Sequence, residues 1–163
     1  MPDPTPPIRP TDDDARRLAR SLLRDATTAA LAFTEPASGN PAISRIGFGL
    51  DPQGLPITLL SDLSAHTQAL RANPDCALLV GEPGPRGDPM ASPRLSLTAC
   101  ASFIAADDPT LPDLRQCWLA THPKAQLYIG FADFHFARFR VGAAFLNGGF
   151  GRAFRLTATD LFN

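Results

Sequence analysis

The stretch Phe134-His-Phe-Ala-Arg-Phe-Arg-Val-Gly-Ala-Ala-Phe-Leu146 decides the fold class. Side chains alternate across a β-strand, and here Phe134, Phe136, Arg138 and Arg140 fall on one side. His135, Ala137, Phe139 and Val141 fall on the other. The period is two, so the segment reads as a long strand. Gly148-Gly-Phe-Gly151 then bends the chain into a further strand, Arg152 to Thr157. Strands joined by so short a connection pair antiparallel.

Working upstream, the same logic repeats. Leu95 to Ile104 and Cys76 to Gly81 are strands on either side of a Gly/Pro-rich loop, residues 82–93, whose length and lack of periodicity mark it as functional or mobile. Leu55 to Ser61 returns from Ala42 to Leu50 through Asp51-Pro-Gln-Gly54, which has proline and glycine where a tight turn wants them. Thr27 to Thr34 is β-compatible and ends at a turn over 35–41. Helices are predicted at three places. Thr11-Asp-Asp-Asp14 supplies a cap and an acidic first turn for an amphipathic helix carrying Ala15, Leu18, Ala19, Leu22, Leu23 and Ala26. Asp62-Leu-Ser64 caps a short helix closed by Asn73-Pro74, and Asp107-Asp-Pro109 opens a third that stops near His122-Pro123. With 17 prolines and 12 glycines punctuating short strands, the expected class is α+β, mainly β: an antiparallel barrel with helices packed outside it.

The length, 163 residues, suits one domain, placed at 12–163 behind a proline-rich, disordered lead-in at 1–11. A net charge of -1 argues against a strongly basic nucleic-acid surface. The start has no apolar core of a signal peptide, and no apolar run approaches the roughly 20 residues that span a bilayer, so a cytoplasmic protein without membrane contact is expected. Cys76, Cys100 and Cys117 lack partner spacing and read as small apolar residues in a reducing compartment. The three histidines show no metal-ligand spacing: His135 reads as structural, and His122, before a proline, as a helix C-cap.

One group of residues has the chemistry of an anion site. Ser61 ends a strand, and Ser64, His66 and Thr67 occupy the first turn of the short helix, where unpaired N–H groups and the helix dipole favour a phosphate or carboxylate. Ser44 and Arg45, on the preceding strand, bring a guanidinium whose fork suits phosphate. The alternative is that Asp62 or Ser64 merely caps the helix and Arg45 is a solvated strand residue.

Three ordered blocks carry a resemblance. They are Pro56-Ile-Thr-Leu-Leu-Ser-Asp-Leu-Ser-Ala-His-Thr-Gln-Ala-Leu-Arg-Ala-Asn-Pro74; Leu78 through Pro93-Arg-Leu-Ser-Leu97; and His122-Pro-Lys-Ala with Gly130-Phe-Ala-Asp-Phe134 and Gly148-Gly-Phe-Gly-Arg-Ala153. Together they resemble the pyridoxamine-phosphate-oxidase-like FMN-binding split barrels, closest to their haem-utilisation branch. The resemblance implies a six-stranded antiparallel split β-barrel, a homodimer, and ligand clefts at the subunit interface. It implies FMN as cofactor, with haem as the alternative. Longer members of that branch add a C-terminal domain with a haem-ligating histidine, for which the sequence up to Asn163 has no counterpart. Oxidase members grip FMN phosphate with a lysine where this chain has His66, which is only partly charged at neutral pH. The resemblance also brings Arg94 and Thr98 to the flavin cleft; a loop-anchoring Arg94 paired with Asp88, and a packing Thr98, are the alternatives. The expected function is an FMN-binding oxidoreductase acting on an unknown small molecule, with the flavin carrying the chemistry. The alternatives are a haem-binding or haem-utilisation protein and a non-catalytic binding module.

Overall fold

Alternating apolar strands punctuated by turns fold here into one curled antiparallel sheet. The computed structural model describes residues 8–163. Its elements are α1 (Asp13–Asp25), β1 (Thr28–Thr34), β2 (Pro41–Gly47), β3 (Gly49–Leu50), β4 (Pro56–Ser61), α2 (Ala65–Ala72), β5 (Asp75–Val80), β6 (Arg94–Phe103), α3 (Leu111–Thr121), β7 (Phe134–Asn147), β8 (Ala153–Thr157) and α4 (Ala158–Phe162). The strand order is β2-β1-β5-β6-β7-β4-β3, with β8 also pairing with β7. The first and last strands of that order, β2 and β3, are separated in sequence by Phe48 alone. The sheet must therefore curl until its two ends meet, and the result is the mainly β half-barrel with outer helices that the pattern predicts. Eight strands are present against the six that the resemblance implies, partly because Phe48 breaks the expected strand 42–50 in two.

The core follows from the alternation. Leu31, Leu78, Leu95, Leu97, Phe139 and Leu146 point inward and are almost fully buried, and α1 adds Ala15, Ala19 and Leu23 to the same cluster. Each large side chain buried this way contributes about 1.5–3 kcal/mol. Asp12 caps α1, accepting from Ala15 N–H at 2.8 Å. A second cluster on the outside holds α3 against β4 and β7 through Leu114, Trp118, Ile57 and Phe136. The bend between β2 and β3 is shaped by it: a Cβ on Gly47 would lie 2.9 Å from the Trp118 ring.

The predicted phase of β7 holds from Phe134 to Val141 and then shifts. Thr98 pairs with Ala143 and Ala99 with Val141, leaving Gly142 as the extra residue of a β-bulge. On its other edge β7 pairs with β4 through residues 134–138 and with β8 through 143–147. Phe139 to Gly142 have no strand beside them there, and this is where the barrel is split. The helix α4 was not legible as such; Thr157 and Asp160 open it with a reciprocal capping box.

Residues 1–7 of the lead-in lie outside the described chain. Within the remainder, Arg9 N–H bonds the Ala153 carbonyl at 2.8 Å, and the Thr11 hydroxyl bonds that of Arg155 at 2.6 Å. Among the described residues no helix is long and apolar enough to cross a membrane.

Candidate functional site

The residues singled out from the sequence separate into four places. Ser61, Ser64, His66 and Thr67 do gather at the start of α2, but carboxylates already fill the surroundings. The Ser61 hydroxyl donates to Asp133 Oδ2 at 2.7 Å, and Asp62 N–H donates to the Asp133 carbonyl at 2.7 Å. The Asp62 carboxylate takes Arg71 and His135 Nε2, each at 2.8 Å. Those bonds, Arg71 first, hold the Asp62 carboxyl below its usual range. Ser64 occupies the N-cap without a side-chain bond to the helix. His66 is half-buried, edge-on to Phe33 at 6.3 Å, and burial pushes its pKa down, which favours the uncharged ring. Thr67 is fully buried and its hydroxyl has no partner. Asp62 is thus charge-paired with Arg71, and Asp133 places a second carboxylate beside Ser61, so the donors at this helix end lie among carboxylate contacts.

Arg45 and Arg94 meet elsewhere. Arg45 pairs with Ala30, and Ala30 with Leu79, so one row of outward side chains crosses β2, β1 and β5. That row forms the floor of a groove of about 350 Å³ lined by Arg45, Arg94, Ala30, Leu79, Met90 and Glu82. Arg45 is exposed. Arg94 Nη1 donates to the carbonyls of Met90 and Ser92 at 3.1 and 3.4 Å, so it anchors the loop through backbone. Asp88 instead caps the short turn of that loop, accepting from Met90 N–H at 2.9 Å. The close return of the loop needs Gly81, at φ +102°, because a Cβ there would meet the Pro93 carbonyl at 2.6 Å.

Ser44 lies opposite Leu31, half-buried, on the other face of β2 from Arg45. Thr98 is exposed beside the bulge and donates to the Ala143 carbonyl at 3.3 Å. Neither joins the arginine groove. The histidines are largely engaged: His122 caps α3, stacks on Trp118 at 4.0 Å and has Nε2 2.8 Å from the Thr27 carbonyl. Among the described residues no cluster of His, Cys, Asp or Glu is arranged to hold a metal ion. Burial raises the Cys76 thiol to about 12, which keeps it unreactive.

Sequence reasoning missed Asp133 beside α2 and the pairing of Asp51 with Arg138, and it read Asp62 as a helix cap rather than as the partner of Arg71 and His135. Asp51 was legible as a turn residue; its ion pair with a residue 87 positions away was not.

An exposed arginine groove on the outer face of a split sheet is where the comparisons with known proteins become informative. Residues 10–163 match the CREG β-barrel family. The chain belongs to that family. It is 31% identical over 157 residues to the chloroplastic heme oxygenase HOZ of Arabidopsis thaliana, covering 87% of this chain and 47% of that protein. A heme binding protein from Mycobacterium smegmatis superposes with a TM-score of 0.81 at 28% identity, over 94% of this chain and 61% of that one. The CREG β-barrel chain therefore spans roughly half to two thirds of the length of these relatives. A pyridoxamine 5'-phosphate oxidase-like protein from Listeria innocua, at 15% identity and a TM-score of 0.62 over 82% of this chain and 98% of that one, shares the fold. The family's fold is thus the pyridoxamine-phosphate-oxidase-like split barrel that the three sequence blocks implied.

Proposed function

We propose that this CREG β-barrel protein binds haem, in clefts between two copies of the chain. The observation that carries the reading is the groove in which Arg45 and Arg94 border an apolar floor of Ala30 and Leu79. Carboxylates such as porphyrin propionates suit paired guanidinium groups, and the flat macrocycle suits an apolar sheet face. At about 350 Å³ the groove is smaller than a tetrapyrrole, so a single chain offers a half-site. The same face exposes Ile43, Leu79, Met90 and Phe145, which a second copy would cover. The names of the relatives at 28 and 31% identity support haem over flavin. No histidine lines the groove; Met90 is its soft donor.

A second reading, FMN held by its phosphate on the same two arginines, is favoured by the fit of guanidinium to phosphate. Both readings seat the ligand on Arg45 and Arg94 rather than at the α2 end, where the Asp62 carboxylate is taken by Arg71 and Asp133 accepts from Ser61. Absorption spectra after gel filtration with haemin or FMN separate the two. The haem reading expects a retained Soret band, at least tenfold weaker haemin binding in the Arg45→Ala/Arg94→Ala double variant (about 1.4 kcal/mol or more), and no change in His66→Ala. Leu79→Asp should release haemin and yield monomer in sedimentation. Retained flavin bands without a Soret band favour the second reading. Wild-type haemin affinity in the double arginine variant refutes the placement of the site.

A further inference from the structure

A cavity of about 650 Å³ opens where the barrel is split, along the stretch of β7 that lies between β4 and β8. Among the described residues, no strand lies on that edge of Phe139 to Gly142, which leaves about 13 Å of backbone whose alternate N–H and C=O groups lack a ladder partner there. We propose that this split binds an anionic amphiphile, a small molecule with one anionic headgroup on an apolar body.

The walls divide by chemistry. Leu55, Ala158 and Phe162 supply apolar surface, backed by the buried Phe139 and Val141, and Arg138 and Arg140 supply positive charge. Arg138 is held in place: its Nε donates to Asp51 Oδ2 at 2.9 Å, and the Asp51 side chain is wholly buried. Asp51 Oδ1 in turn accepts from the N–H groups of Gln53 and Leu55, both at 2.9 Å. With Nε committed, the terminal nitrogens of Arg138 remain to meet a ligand, in a preset orientation that lowers the entropy cost of binding. Arg140 is exposed and has no carboxylate partner among the described residues. Of the acids, Asp75 lines the adjoining shallow groove with Arg140, and the Asp108 carboxyl is lowered first by Thr110 and only lastly by Arg138.

An amphiphile follows from both halves together. A purely ionic ligand would leave the apolar wall wetted, and a neutral apolar one would strip water from two guanidinium groups without replacing it. A ligand with one anionic end satisfies both, within the size range and mostly apolar lining usual for small-molecule pockets. This site is separate from the Arg45–Arg94 groove and stands or falls without it.

Isothermal titration of the full chain with decanoate, decyl phosphate and decanol tests the proposal, with amide chemical shifts locating the binding. Decanoate or decyl phosphate should bind and decanol should bind at least tenfold more weakly; whichever anion is tighter identifies the headgroup. Arg140→Gln should weaken the anions at least tenfold without altering the thermal midpoint. Shifts should centre on residues 139–142 and α4. Ala158→Phe, which fills the cavity, should remove binding; if it fails to fold, Arg140→Gln and the shift map still decide. Decanol binding as tightly as decanoate, unchanged affinity in Arg140→Gln, shifts centred on Arg45 and Arg94, or no binding of any probe would each overturn it.

Discussion

Replacing Asp51 by alanine should be among the most damaging single changes in this protein. The side chain is wholly buried and makes three polar contacts: the Gln53 and Leu55 amides on one oxygen and Arg138 Nε on the other, each at 2.9 Å. A hydrogen bond to a charged acceptor is worth about 1.5–3 kcal/mol. Arg138 is about one-third exposed, so water recovers part of its loss. The two amides belong to Gln53, within the Asp51-Pro-Gln-Gly54 turn, and Leu55, just after it, and solvent reaches this turn once the carboxylate has gone. Allowing for both, the expected destabilisation is about 3–5 kcal/mol, at the upper end for point mutants. For a chain of this size that lowers the thermal midpoint by very roughly 6–20 °C. Asp51→Asn keeps an oxygen for the amides but loses the charge and turns an NH2 donor towards Arg138 Nε, so it should cost about 1.5–3 kcal/mol, the Arg138 contact alone. Urea denaturation of the two variants beside wild type, with equal m-values, measures both numbers. A loss below 1 kcal/mol in Asp51→Ala, or equal losses in the two variants, would refute the claim that this carboxylate organises the turn and Arg138 separately.

Two further outcomes can be measured on the same material. Gly47→Ala should destabilise by about 1–3 kcal/mol, because the new methyl meets the Trp118 ring at 2.9 Å inside a packed cluster; the double variant with Trp118→Phe should recover part of it. Asp160 has its carboxyl held down at about 2, first by the Thr157 N–H, then by Arg16 and the Thr157 hydroxyl. A pKa lowered by folding stabilises the native state above the ordinary value of 3.8, and that contribution disappears as pH falls from there towards 2. Asp160→Asn should therefore flatten the dependence of the urea midpoint on pH over that interval, and an unchanged slope would show that α4 is not tied down through this residue.

The fold was legible because its signals are local. The alternation from Phe134 to Val141, the Asp51-Pro-Gln-Gly54 turn and the Gly148–Gly151 bend each fix the backbone within a few residues, and together they specify a curled antiparallel sheet. Even the bulge has a local marker in Gly142, although its effect, shifting the phase of everything after it, shows only once β6 lies alongside. The residues by themselves also marked Arg45 and the start of α2 as chemically suggestive, and the family resemblance added Arg94. Tertiary structure decided which of them share a site. Strand pairing sets Arg45 and Arg94 in one groove across β1 and β5, a matter of register between distant segments, whereas the opposite faces of Ser44 and Arg45 follow from alternation within β2 alone. It also brings Asp133 onto Ser61 and Asp62 at the expected anion site, and Asp51 onto Arg138. Such contacts span tens of positions and depend on how the whole sheet closes, so no pattern within a short window of sequence encodes them.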